Sequence, residues 1–242
     1  MNITQMHLAV QQGVDKINSF QADSLLPEEI DLELNKAITK FVNLKYGKNN
    51  QHGKGFEESQ KRIDDLRTLI SKEDLKSDYV QESVKNSFIY ETTELPGNYR
   101  YLIKILCTVA YKSDCTSLSV KEQTKEVEIK DPKTELTSLK FVQQDDIHTL
   151  LADPFNTTEK TKPLFTIEDD RLKIYTNDIF IIGQVNLTYI KNPAIVSLSL
   201  NAGSDLPLHT HQEIVDMAIS SILEGISDPR YRTQQLELGK NE

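Results

Sequence analysis

The segment Leu206-Pro207-Leu208-His209-Thr210-His211-Gln212-Glu213, continuing to Ile226, constrains the fold of this chain more than any other stretch. Thr210 and Glu213 have the Thr-x-x-Glu spacing at which a hydroxyl and a carboxylate each accept a backbone N–H at a helix start, so a helix with a reciprocal capping box is expected near Thr210. Ile214, Val215, Ala218, Ile219, Ile222, Leu223 and Ile226 then recur at three- and four-residue steps and share one wide apolar face. That face must be buried, either in the chain's own core or against a neighbouring subunit.

Two more amphipathic stretches stand at the other end. Thr4 is placed to cap a short opening helix with Met6, Val10, Val14 and Ile17 on one side, ahead of a polar break at 18–24. Pro27 suits a first helical turn, and Glu28, Glu29 and Asp31 put negative charge at the positive end of the helix dipole. Ile30, Leu34, Ile38, Phe41 and Leu44 form this helix's stripe, and Gly47 is its stop. Residues 48–55 read as an exposed loop. Phe56, Ile63, Leu66 and Ile70 then mark a further helix, with Glu57, Glu58, Lys61 and Arg62 pairing on its polar side.

From Phe88 the texture turns β-branched and aromatic, with strands expected at 88–91, 99–112, 124–129, 136–143, 164–167, 171–175, 179–182, 185–190 and 195–200. A short helix at 145–151 ends at Asp153-Pro154, before a loop from Phe155 to Pro163. The fold class is therefore α+β: an N-terminal helical hairpin, a central antiparallel β-sandwich or partly open barrel, and a C-terminal amphipathic helix. The expected division is a helical region over 1–86, a β domain over 87–204, and a C-terminal helix with a polar tail over 205–242 that packs with the helical region.

The 242 residues suffice for a substantial core, and no apolar run approaches the roughly 18 residues of a membrane span. The first ten residues lack a secretory pattern, so folding in the cytosol is expected. A net charge of −9 argues against a surface that neutralises nucleic-acid phosphates, since each such contact draws on a minority of Lys and Arg. The same charge suits a wall past which DNA slides without sticking, or ordinary solubility. Cys107 and Cys115 match neither a disulfide framework nor a four-ligand zinc site, and Cys107 is expected to pack as a small hydrophobe within a strand.

Chemistry-bearing patterns are sparse. His209 and His211 form a His-x-His pair beside Asp205 and Glu213, but a helix start between them breaks the alternation that a shared metal ion requires. The pairs Asp64-Asp65, Asp145-Asp146 and Asp169-Asp170 point their neighbours apart and read as solvated charge. Gly53-Lys54-Gly55 lacks the spacing of a phosphate-binding loop, and no Gly-x-Ser-x-Gly elbow occurs. No cofactor is expected, and the expected class is non-enzymatic.

Three segments resemble structural proteins from the neck of tailed phages, above all the head-to-tail connector or ring proteins of the crAss-like group. They are Ile30-Asp31-Leu32-Glu33-Leu34-Asn35-Lys36-Ala37 with Phe41-Val42, Lys45-Tyr46-Gly47 and residues 55–66; residues 145–156 with Leu187-Thr188-Tyr189-Ile190-Lys191-Asn192-Pro193; and Leu206-Pro207 to Ala218. The resemblance implies a virion component made in the host cytoplasm, present in about twelve copies in a ring beneath the portal protein. Other neck or tail rings would adjoin it, DNA would pass through its lumen without sequence-specific binding, and no membrane would be involved. Asn35, Tyr46, Phe56, Arg62, Asp65, Pro154, Phe155, Tyr189 and Pro193 lie in the matching segments and are the expected interaction or structural positions, with Thr210 and Glu213 at the terminal helix. Two rival classes are a β-sandwich that binds host glycans or proteins, and a metal-dependent hydrolase built on His209 and His211.

Overall fold

The computed structural model describes residues 1–17, 25–47, 56–84, 87–111, 134–177 and 179–225. The polar break at 18–24, the loop at 48–55, the strand at 124–129, Cys115 and everything from 226 onward lie outside the described residues. The helices are α1 (Ile3–Ile17), α2 (Pro27–Tyr46), α3 (Gln60–Leu66), α4 (Ile147–Ala152) and α5 (His211–Gly225). The strands are β1 (Ile70–Leu75), β2 (Ser77–Val84), β3 (Ser87–Thr92), β4 (Tyr99–Tyr111), β5 (Glu135–Ser138), β6 (Lys140–Phe141), β7 (Leu164–Glu168), β8 (Arg171–Thr176) and β9 (Phe180–Lys191). The fold mixes helix and sheet, and no described helix is long and apolar enough to cross a membrane.

Two compact units divide the chain: Met1–Ile70 with Asn192–Glu242, and Ser71–Lys191. The first sheet residues thus precede the boundary read at 86/87, because β1 and β2 give almost no apolar signal. Among the described residues both stand at the ends of their sheets, and Ser71, Lys72, Glu73 and Asp74 keep β1 polar up to the buried Leu75. Charge on an edge is how sheets avoid pairing with other chains, and it hides the strand from a hydrophobic pattern.

In the first unit α1, α2 and α5 bury one another's stripes. Met6, Val10 and Val14 of α1 are buried, as are Ile30, Leu34, Ile38 and Phe41 of α2. From α5, Ile214, Val215, Ala218, Ile219, Ile222 and Leu223 join them. The terminal helix therefore spends its apolar face on the chain's own core. Burial at roughly 25 cal/mol per Å² of apolar surface makes this the main stabilisation of the unit. Gly13 allows the closest approach, since a Cβ there would collide with Ile219 Cδ1.

The helix ends follow from local chemistry, not always as expected. Asn2, rather than Thr4, caps α1: its Oδ1 accepts Gln5 N–H at 2.8 Å and Gln5 Oε1 accepts Asn2 N–H at 3.0 Å. Pro27 opens α2, and Glu29 Oε2 accepts Leu26 N–H at 2.9 Å. Gly47 stops α2 in an extended conformation, donating its N–H to Asn43 at 2.9 Å. The capping box expected at Thr210 and Glu213 is absent. A 3-10 turn over Leu208–Thr210 leads into α5, and Thr210 Oγ1 donates to the Pro207 carbonyl at 2.9 Å. The helix expected from Phe56 to Ile70 is shorter: α3 has one 3-10 turn on each side, and Ile70 already belongs to β1.

The second unit has two open sheets, in the orders β1-β9-β4-β5 and β2-β3-β8-β7-β6. Five of the pairings, β2–β3, β3–β8, β7–β8, β4–β5 and β4–β9, are antiparallel. β6–β7 is parallel, a departure from the antiparallel expectation made possible by the crossover through α4. Leu75, Ile105, Val109, Phe165, Leu172, Ile174, Phe180, Val185 and Leu187, drawn from both sheets, form one buried cluster.

Two strands expected at 179–182 and 185–190 are one. Opposite Thr108, which lies between the pairs Cys107↔Val185 and Val109↔Ile182, β9 places both Gly183 and Gln184. This bulge shifts the alternation by one residue, so a continuous strand reads as two in sequence. Residues 195–200, expected as a strand, instead form irregular chain and a turn closed by a Ser197–Ala202 bridge.

Candidate functional site

Lys45 occupies a position of α2 where the apolar stripe, four residues after Phe41, calls for a hydrophobic residue. It is 3 % exposed, and its ammonium meets Glu213 Oε1 at 2.7 Å and Asp65 Oδ2 at 3.8 Å. Asp65, 1 % exposed, also accepts a hydrogen bond from His209 Nε2 at 2.9 Å through Oδ1, while its Oδ2 has no hydrogen-bond partner. Arg62, expected on the polar side of its helix, is buried, with Nη1 3.5 Å from the carbonyls of Lys45 and Gly47 at the end of α2. A cation there meets the negative pole of the helix. Tyr46 and Phe56 lie alongside, ring centroids 6.2 Å apart. Arg62, Asp65 and Glu213 thus gather around Lys45 and the end of α2 in one ionic cluster joining α2, α3 and α5, and the reading of Asp65 as a solvated carboxylate is overturned.

The sequence carries a signal for this cluster. A lysine in the register of a buried stripe demands a buried anion, because desolvating an unpaired ammonium costs several kcal/mol. His7 gives the same signal on α1. It is buried between Met6 and Val10, and its Nε2 donates to Asp31 Oδ1 at 2.7 Å.

Asp31 and Asn35 fasten a loop to α2. Both Asp31 oxygens accept Leu198 N–H, at 3.1 and 3.0 Å. Asn35 accepts Val196 N–H at 2.9 Å and donates to the Val196 carbonyl at 2.9 Å, as a paired strand residue would. Val196 is buried between Ile195 and Leu200, which are 78 % and 80 % exposed. Pro193, half-buried, leads into this loop.

The remaining expected positions lie in the second unit. Tyr189 is buried on β9, packed against Tyr99 with its hydroxyl donating to Asn98 Oδ1 at 2.9 Å; burial, reinforced by Glu73, pushes its pKa up. Pro154 and Phe155 follow α4 in a tight turn. Asp153 Oδ1 accepts Phe155 N–H at 2.9 Å and Oδ2 accepts Asn156 Nδ2 at 2.6 Å. These bonds hold the Asp153 carboxyl below the usual carboxylate range, and Phe155 stands 91 % exposed.

His209 and His211 serve different partners. His211 is buried, with Nε2 directed at the Leu206 carbonyl at 3.0 Å and Nδ1 at the Met1 carbonyl at 2.9 Å. No group of three or more His, Cys, Asp and Glu side chains suited to a metal occurs among the described residues. His209 with Asp65 has the base-and-orienter arrangement of a catalytic triad, but the adjoining Thr210 hydroxyl is committed to Pro207. Burial pushes the Cys107 thiol up to about 12, so it packs as a small apolar group in β4. The paired acids Asp145-Asp146 and Asp169-Asp170 are exposed, the latter at positive φ of 48° and 58° in the β7–β8 hairpin turn. No protein-family model and no curated protein sequence matches this chain.

Proposed function

We propose that this chain is a virion structural protein, a subunit of a ring in the head-to-tail connector that joins portal to tail and leaves a channel for genome DNA. In this reading the finer architecture is a helical hairpin with a β-sandwich, in a ring of about twelve copies. The observation that carries it is the display of large apolar side chains on stiffly fastened loops. Phe155 is held out by Asp153, and Ile195 and Leu200 by Asp31 and Asn35. A preorganised apolar anchor loses little entropy on docking, which suits repeated protein–protein interfaces. The resemblance of the three segments adds the location, and the net charge of −9 suits a lumen that DNA passes without adhering.

The helical stripes do not serve as the subunit contacts, since they are buried within the chain; loops and helix backs are left for that role. Gold labelling of purified virions with an antibody to this chain is expected to mark the head–tail junction, and particles whose neck carries no label would overturn the reading. A second reading, a module binding host glycans or proteins, draws on Tyr79, half-exposed on β2 with Phe88 and Tyr90 rings 6.1 and 5.7 Å away. Loss of cell-surface binding on Tyr79→Ala would favour it.

A further inference from the structure

We propose that the outward face of α2 is a docking groove for a second copy of this chain, and that the loop carrying Phe155 is the part that enters it. This rests on the reading of the chain as a ring subunit. Leu32, Lys36, Thr39, Lys40, Asn43 and Leu44 recur at three- and four-residue steps along α2 and line an open groove of about 640 Å³. Leu32, Lys36, Thr39, Lys40 and Asn43 lie opposite the stripe that α2 buries, and Leu44, expected within that stripe, is only half-buried and lies at the edge between the two faces. Leu32 is 55 % exposed, and among the described residues the charged side chains lining the groove are Lys36 and Lys40, with no acid. Lys36 is already bonded to Glu33 at 2.6 Å beside the groove, so Lys40 supplies most of its positive character.

Charge decides the occupant. Two copies meeting through this face about a two-fold axis would bring lysines against lysines, which disfavours a symmetric dimer. The complement must be acidic and must offer an apolar knob. Residues 143–159 contain Asp145, Asp146, Asp153 and Glu159 but no lysine or arginine. Asp145 and Asp146 are exposed, and Phe155 is the most exposed of the large hydrophobic residues described. The Asp153 hydrogen bonds fix the Phe155 turn before any contact is made. Groove and knob are different surfaces, so the contact is head-to-tail and repeats from copy to copy until it closes.

Sedimentation velocity on the full chain, from about 10 µM to about 300 µM, tests this. Concentration-dependent association is expected. Phe155→Asp, and separately the double change Lys36→Glu with Lys40→Glu, should each weaken it about tenfold with unchanged circular dichroism. Mixing the Lys36→Glu, Lys40→Glu chain with an Asp145→Lys, Asp146→Lys chain should restore association between them, which a folding defect would not do. A wild-type chain that stays monomeric throughout overturns the proposal. Association untouched by either set of changes removes this contact while leaving the ring reading standing. Loss of association in the variants, together with unlabelled virion necks, keeps the contact and ends the connector reading.

Discussion

In the helical unit ionisable side chains are buried among the helices, as with Lys45, Asp65 and His7, whereas the sheet unit buries mostly hydroxyls bonded to the main chain. Thr158 is typical of the latter: its Oγ1 donates to the Tyr175 carbonyl at 2.6 Å, and the residue is wholly buried. The contrast has a physical origin. Sheet register is set by backbone ladders and by the bulge at Gly183, so side chains need only fill space. Packed amphipathic helices can slide or rotate with little loss of apolar burial, and a charge that finds its partner at only one register removes that freedom.

The largest test of this difference is Lys45→Met. It leaves the buried Asp65 carboxylate with His209 but without its lysine, and it takes Lys45 away from Glu213; urea unfolding should show a loss of about 3–5 kcal/mol. Replacing Lys45, Asp65 and Glu213 together by apolar residues should recover most of that stability. If the charges specify register, that triple variant will have poorly dispersed amide resonances in the helical unit alone; sharp, native-like dispersion would show that apolar packing suffices.

A smaller effect is expected at Gly13→Ala, where the new Cβ meets Ile219 Cδ1. Overpacking costs about 1–3 kcal/mol and the gain in helix propensity offsets up to about 1 kcal/mol. The expected net loss is therefore about 1 kcal/mol, and Ile219→Val in the same chain, by removing the obstructing methyl, should return most of it. Equal losses with and without Ile219→Val would show that α1 and α5 do not meet there.

The smallest change belongs to the sheet unit and has the opposite sign. Asp169 and Asp170 both hold positive φ in the two-residue turn between β7 and β8, a conformation that favours Asn-Gly. Asp169→Asn with Asp170→Gly should stabilise by about 0.5–1 kcal/mol, read as a rise in the midpoint of thermal unfolding. A fall in the midpoint would mean that the aspartates do more than turn the chain.

How far the chain could be read without coordinates varied with the kind of signal. Pro27, Gly47 and the spacing of Ile30, Leu34, Ile38 and Phe41 define α2 almost to the residue, since local steric rules and periodicity act within one helix. The β4, β7 and β8 strands were legible for the same reason. β1 and β2, which end their sheets among the described residues, were not, because charge suits the end of a sheet as well as it suits a loop. The candidate site is legible only in pieces: Arg62, Asp65 and Glu213 stand out singly in the sequence, and nothing local makes them neighbours of Lys45.

The sequence by itself determined that α1, α2 and α5 are helical and that β4, β7 and β8 are extended, and that the face of α5 needs a buried partner; those properties depend on residues two to four apart. Only the tertiary structure decided that this partner is α1 and α2 of the same chain, that Asp65 is buried against Lys45, and that Phe155 is left outside. Such pairings join residues far apart in sequence, and they depend on which surfaces meet when the helices close, a property that no local spacing encodes.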